Sequence, residues 1–173
     1  MKKPIKRKPK DFFGELFSAI IEANPTPLYT VESHSEIVEK WQQVFARKLH
    51  AATGEWRHCN FDWHVFCAGY AQALEHQAAV DAYDARRPKA KGYIFSHHDL
   101  KKPLCCLARR LPSAAGIEET LTRFSHMADI YVVAHDFSWT YVLTHESYSS
   151  MNLGPYFCEA SPSIQRKVKL GLI

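Results

Sequence analysis

Histidine and carboxylate residues form two short clusters that could bind a metal ion. His97 and His98 are adjacent, and His145 directly precedes Glu146. Imidazole and carboxylate groups are common metal ligands, so these four residues would suit a metal-dependent hydrolase if the fold joined them. The usual helical arrangement places two histidines four residues apart, and Ser149 stands where the second would be. The hydrolase is therefore an alternative, and we expect these histidines to lie on a polar surface or bond buried carbonyls.

The sequence identifies none of the cysteines as a catalytic nucleophile. The cysteine count is odd, and no signal peptide is recognisable, which favours a reduced, cytosolic set of thiols. We expect most of them to be buried and structural, although a partner histidine distant in the chain would not be visible. The five residues are Cys59, Cys67, Cys105, Cys106 and Cys158.

Glycine-rich phosphate loops and the serine-nucleophile elbow are both missing from the sequence. The sequence therefore predicts no cofactor and no catalytic residue, and an enzyme is the less favoured reading. Apolar residues make up 46% of the chain and charged residues 23%, as in globular proteins. No apolar run reaches the ~18–20 residues that a membrane span needs.

Charge is distributed unevenly along the 173 residues. The net charge of +4 includes six basic residues in 1–10 and three in 164–173, with no acid in either segment. Residues 11–163 carry 13 basic and 18 acidic residues, a net of −5. We expect residues 1–10 to be a disordered basic arm and residues 11–173 to form one domain. The arm is expected to be a solubilising tail, and contact with nucleic acid or anionic lipid is the alternative. The acidic body suits a basic protein partner better than nucleic acid.

Apolar residues at helical spacing predict helices over 11–23, from Ser33 to the glycine cap at Gly54, over 71–86 and over 113–127. Residues 59–70 are ambiguous between helix and strand. Alternating and β-branched residues predict strands over 92–96, 129–133 and 139–144, the last two forming an antiparallel hairpin. The predicted fold class is α+β: a small antiparallel sheet of at least three strands, including this C-terminal hairpin, covered by three to five helices.

The stretch FSWTYVLTHE at residues 137–146, followed by GPYF at 154–157, is uncommon. Upstream lie Trp41 with Phe45, and WHVF at residues 63–66. Together these elements resemble a family of small bacterial proteins known as domain of unknown function 4275. The resemblance covers about residues 36–158. It implies a cytosolic bacterial α+β domain and transfers no activity and no catalytic residue.

The predicted last strand and the segments next to it supply candidate binding residues. Aromatic residues alternate with smaller ones along the strand, so they either pack in the core or face a partner. Polar residues follow at the strand exit, a Gly-Pro turn precedes the next aromatic residue, and an aspartate lies in the hairpin turn. The candidates are Trp139, Tyr141, His145, Glu146, Tyr156 and Asp136.

These observations favour a small cytosolic protein-binding module, of the immunity or antitoxin type, that inhibits a basic toxin such as a nuclease. Two alternatives stay open. One is the metal-dependent hydrolase that uses the histidine and glutamate cluster. The other is a nucleic-acid accessory protein that uses the basic arm, residues 1–10.

Overall fold

The computed structural model describes residues 29–30, 34–96, 105–124 and 129–173. Within these ranges the strands are β1 (Tyr29–Thr30), β2 (Leu74–Glu75), β3 (Gly92–Ser96), β4 (Cys105–Ala108), β5 (Ile130–Ala134), β6 (Trp139–Leu143) and β7 (Tyr156–Glu159). The α-helices are α1 (His34–Phe45), α2 (Arg47–Thr53), α3 (His64–Cys67), α4 (His76–Arg86), α5 (Ala114–Phe124) and α6 (Pro162–Lys169). Short 3-10 helices cover Arg87–Lys89 and His145–Tyr148.

The seven strands form one sheet in the order β1-β4-β3-β5-β6-β7-β2, and every neighbouring pair is antiparallel. The predicted hairpin is β5 and β6, in which Ile130 pairs with Leu143. The predicted strand at 92–96 is β3, which lies beside β5. The prediction of an α+β fold with a C-terminal hairpin is therefore confirmed.

Helices cover both faces of the sheet and divide the core in two. On one face, α4 and α5 bury Ala79, Tyr83 and Ile117 against alternate strand residues. On the other face, α1, α2 and α3 bury their apolar side chains, and α6 packs with partly buried residues. Every residue of β5 and of β6 is buried. Because both faces are covered, these strands are rich in apolar and aromatic residues along their whole length.

A buried hydrogen bond joins α1 to the centre of the sheet. The indole Nε1 of Trp41 donates to Thr140 Oγ1 at 2.9 Å, and Thr140 Oγ1 donates to the carbonyl of Val132 at 3.0 Å. Thr140 is fully buried, so its hydroxyl needs these partners. The pair also sets the position of α1 along β6.

Two predicted helices differ in extent from the structure. The one expected from Ser33 to Gly54 is broken at Ala46 into α1 and α2, although Gly54 caps it as expected, with a φ of 79°. The one expected over 71–86 begins at His76, because Leu74 and the next residue pair with β7 as β2. Tertiary pairing therefore overrides local helix propensity in this segment. Ser33 itself lies outside the described residues.

Several elements were not predicted from the sequence. Strands β4 and β7 are short, with four residues each, and α6 follows the last strand. With α6, the short α3 and the divided second helix, the described residues contain six α-helices rather than three to five. The predicted helix at 11–23 and the basic arm at 1–10 lie outside the described residues. In the ranges that are described, every helix is too short or too polar to cross a lipid bilayer.

We predict that Gly92→Ala destabilises the protein by about 2–3 kcal/mol, since overpacking a core costs about that much. A Cβ at Gly92 would lie 2.4 Å from the carbonyl oxygen of Val133, a backbone atom in the neighbouring strand. Urea denaturation measures the loss. The matched control is Gly116→Ala in α5, whose Cβ would meet only the Ser113 side chain at 3.2 Å. Equal stability of the two variants would contradict this account of β3.

Candidate functional site

Asp129, His145 and Trp63 meet at one end of the sheet. Asp129 directly precedes β5, and His145 follows β6 after one residue. Because the two strands are antiparallel and Ile130 pairs with Leu143, the start of β5 lies beside the end of β6. Trp63 precedes α3 and reaches the same place from the helical layer.

The carboxylate of Asp129 is 1% exposed and accepts three hydrogen bonds. Oδ1 accepts from the backbone N–H of His145 at 2.9 Å and from its ring Nδ1 at 2.8 Å. Oδ2 accepts from the indole Nε1 of Trp63 at 3.0 Å. The tautomer of His145 with hydrogen on Nδ1 is the one that donates to this carboxylate, and its Nε2 faces Glu146 Oε1, 3.7 Å away.

A second buried carboxylate, that of Asp62, lies close to the first. It accepts from Gln42 Nε2 at 2.6 Å and from Arg57 Nε at 3.2 Å. The hydroxyl of Tyr131 accepts from the backbone N–H of Trp63 at 3.2 Å. Burial raises the pKa of Tyr131 well above its usual value, and the charges of Asp129 and Asp62 raise it further. This hydroxyl therefore stays protonated and serves as a structural hydrogen-bonding group.

Aromatic rings close the site on the side of the core. The ring of Phe61 lies 5.0 Å from that of His145, between centroids. Trp63 stacks on Tyr156 at 6.0 Å, and Phe66 stacks on Tyr156 at 5.3 Å. The His145 side chain is 21% exposed. The carboxylate of Asp129 thus holds one edge of the His145 ring, and aromatic side chains pack beside it. Glu146 lies next to the other ring nitrogen.

Two acidic and two exposed apolar side chains belong to the segments that border this site. Glu75 pairs with Tyr156 in the register of β2 and β7, and Glu146 Oε1 lies 3.7 Å from His145 Nε2. Burial raises the pKa of Tyr156, with smaller contributions from Cys67, Glu75 and Glu146. Leu74 is 47% exposed beside Glu75, and Met151 is 60% exposed in the loop that follows Glu146. We call Leu74, Glu75, Glu146 and Met151 the acidic edge, because β2 is an edge strand of the sheet.

Three of the six candidate binding residues are part of the core. Trp139 and Tyr141 are buried against α4 and α5, where Tyr141 stacks on Tyr83 with 4.4 Å between centroids. Tyr156 is 1% exposed on the opposite face. These rings are covered by helices, so they support the sheet and do not form a surface for a partner. The alternating pattern left open whether the aromatic residues of β6 pack in the core or face a partner, and the structure places them in the core.

The other three candidates do not form one surface. His145 and Glu146 lie together at one end of the sheet, whereas the exposed Asp136 lies in the hairpin turn at the other. The five residues of β6 separate them by about 16 Å at ~3.3 Å per residue. His97 and His98, the other members of the predicted metal cluster, lie outside the described residues. The described ranges contain no group of three or more metal-ligating side chains placed to hold an ion.

The cysteines are all free, and they differ in burial. Burial raises the pKa of Cys105, Cys106 and Cys158 to about 12 each. Cys59 and Cys67 are exposed, and partial burial is the main cause that raises the pKa of Cys67. A nucleophilic cysteine needs a lowered pKa. The four thiols whose pKa is raised are therefore poor nucleophiles near neutral pH.

Reasoning from the sequence missed Asp129 and Trp63 as partners of His145. Asp129 was read only as the first residue of a strand. The signal that would have found it is the predicted hairpin itself, because an antiparallel pair places a residue that precedes the first strand next to one that follows the second. No comparable signal joins Trp63 to this end of the sheet, since it reaches Asp129 from 66 residues away.

We predict that Asp129→Asn lowers the free energy of unfolding by about 2–4 kcal/mol. Both carboxylate oxygens accept N–H groups, so either orientation of the amide places its NH₂ against a donor. Urea denaturation measures the loss, and ¹⁵N NMR of His145 follows its tautomer. Asp136→Asn, at an exposed turn, is the matched control and should change stability by less than about 0.5 kcal/mol. Wild-type stability of Asp129→Asn would refute the proposed role of this carboxylate.

We predict that iodoacetamide at pH 8 modifies only Cys59 and Cys67 of the folded protein, with Cys59 reacting faster. A thiol with a pKa of about 12 is ionised to roughly 10⁻⁴ at that pH, and burial also blocks the reagent. Mass spectrometry counts the modified residues. The same reaction in urea should modify all five cysteines, and rapid native modification of Cys105, Cys106 or Cys158 would contradict the described packing.

Comparison with known proteins gives one family. The family model "Domain of unknown function (DUF4275)" matches residues 32–157, more than half of the chain. Comparison with curated proteins and with solved structures gives no match. The matched range contains the site formed by Trp63, Asp129 and His145, and it ends within β7. The chain belongs to the family of unknown function numbered 4275.

Proposed function

We propose that the protein is a protein-binding module whose acidic edge binds a basic partner, and that it acts as an immunity-type inhibitor of a basic toxin domain. The observation that carries the proposal is that the edge strand β2 and the segment after β6 each carry a carboxylate, Glu75 and Glu146, together with a largely exposed apolar side chain, Leu74 and Met151. Carboxylates around exposed apolar side chains are suited to a partner that presents cations around an apolar contact.

The apolar side chains of the acidic edge supply the contact area. Leu74 and Met151 are two large hydrophobic residues that the described fold leaves largely exposed. An apolar side chain that is buried at the centre of an interface contributes most of the binding energy, and surrounding polar groups exclude water. Burial of Leu74 and Met151 by a partner would place Glu75 and Glu146 at the periphery of the contact.

The backbone beneath the acidic edge is held firmly before any partner binds. Glu146 follows His145, whose N–H and ring are both bonded to Asp129. Glu75 belongs to β2, which pairs with β7. A surface that is already ordered loses less conformational entropy on binding.

A basic toxin domain of the nuclease type fits this surface for a physical reason. Nucleases bind phosphate, so their active surfaces carry lysine and arginine. An inhibitor with carboxylates in complementary positions is attracted at long range and associates quickly. Free cysteines support a reducing compartment, and we therefore propose that the protein acts in the cytoplasm.

The hydrogen bond between Asp129 and His145 favours a second candidate, a hydrolase. A buried aspartate that accepts from Nδ1 orients the imidazole and leaves Nε2 for a proton or a metal ion. Glu146 Oε1 lies 3.7 Å from that nitrogen. The purified protein would then retain a divalent metal, and His145→Ala would lose it, whereas the binding module requires no metal. The nucleic-acid alternative through residues 1–10 involves a segment outside the described residues.

We predict that Glu75→Lys/Glu146→Lys abolishes capture of a stoichiometric protein partner from the native cell. The two reversals place cations where the basic partner presents its own, and like charges in an interface cost several kcal/mol. Affinity capture with quantitative mass spectrometry measures the effect. For the captured partner, the association rate should fall about 10-fold or more between low and high salt.

The matched control is Glu118→Lys/Glu119→Lys, which makes the same charge change at two exposed positions on α5. This variant should capture the partner as the wild-type protein does. Capture that survives Glu75→Lys/Glu146→Lys, or that is lost equally in both variants, would refute the acidic edge as the binding surface.

A further inference from the structure

We propose that a groove along α2 binds single-stranded nucleic acid. Two cavities of about 500 Å³ and about 460 Å³ share Arg47 and Ala51 in their linings. The two cavities therefore adjoin along α2, and together we call them the α2 groove. It goes beyond the proposed function, because none of the residues of the acidic edge lines it.

The α2 groove lies between two walls, and the basic side chains that line it belong to the first. The first wall is the end of α1 with α2, and it places the exposed Arg47 and Lys48 at the groove. The second wall is formed by residues 158–164 and 172–173, and its lining side chains include no cation. The carboxylate that lines the groove, Glu159, forms an ion pair with Arg86. The charge that the α2 groove offers a ligand is therefore positive, as phosphate requires.

Aromatic rings lie in both halves of the groove. Tyr70 lines the larger cavity and Trp56 the smaller one, and both side chains are only partly buried. Trp56 already stacks on His50, with 3.9 Å between centroids and 4° between planes. A nucleobase can extend such a stack or lie on the tyrosine ring, because every base has a planar face.

The combination of cations and accessible rings selects the class of ligand. A duplex hides its base faces within its own stack, and an acidic peptide would use Arg47 and Lys48 but has no need of Trp56 and Tyr70. Single-stranded nucleic acid uses both features, phosphates on the cations and bases on the rings.

Fluorescence anisotropy with a labelled oligothymidine of about 20 nucleotides tests the proposal on the full chain at low salt. Arg47→Glu/Lys48→Glu should raise Kd about 10-fold or more. Trp56→Ala and Tyr70→Ala should each raise Kd about 5-fold or more, whereas Trp56→Phe, which keeps a ring, should stay within about 2-fold of wild type. Circular dichroism of each variant separates loss of binding from loss of fold.

The matched control is Arg109→Glu/Arg110→Glu, two exposed residues that do not line the groove. Loss of binding confined to the groove variants supports the proposal. Equal loss in both charge reversals would place the contact elsewhere, and an absence of wild-type binding would also overturn it. Competition by poly-glutamate together with unchanged binding by the ring variants would show an acidic-peptide site instead. Glu75→Lys/Glu146→Lys should leave oligothymidine binding intact, so this test is independent of the acidic edge.

Discussion

The buried carboxylate of Asp129 constrains the end of the molecule where the chain segments of the site converge. Removing an ionised carboxylate from water costs several kcal/mol unless hydrogen bonds replace the lost hydration. Asp129 receives three, from the backbone and ring of His145 and from the indole of Trp63. The requirement to satisfy this one charge therefore holds α3, the start of β5 and the chain after β6 in a fixed arrangement. Glu146, whose carboxylate we assign to binding, is attached directly to that arrangement.

Covering both faces of the sheet has a consequence for function. The aromatic residues of β6 and β7 become core, so within the described ranges a partner can reach the sheet at its edges and strand ends, or contact the outer surfaces of the helices. The two surfaces that we propose lie at such places and differ in charge. The acidic edge carries Glu75 and Glu146 with the exposed Leu74 and Met151, and the α2 groove presents Arg47 and Lys48. The net charge of −5 over residues 11–163 thus includes two separate surfaces of opposite charge.

The strong local patterns in the sequence predicted the elements correctly. The hairpin of β5 and β6, the strand β3 and the glycine cap at Gly54 all follow from periodicity and turn residues. The short elements β2, β4 and β7 were missed because two to four residues give no period to recognise. Of the site, His145 and Glu146 were named as candidate binding residues. The sequence left Trp139 open between core and binding surface, because an aromatic residue has the same pattern whether it is covered or exposed.

The sequence by itself determined the α+β class, the hairpin and the family, because these depend on local periodicity and on short motifs. Only the tertiary structure decided that helices cover both faces of the sheet, that Tyr156 is buried, and that Asp129 is the partner of His145. These outcomes depend on contacts between residues that are far apart in the chain. The indole of Trp63 reaches Asp129 across 66 residues, and that of Trp41 reaches Thr140 across 99. Burial and pairing at such separations are properties of the packed chain, and no local pattern encodes them.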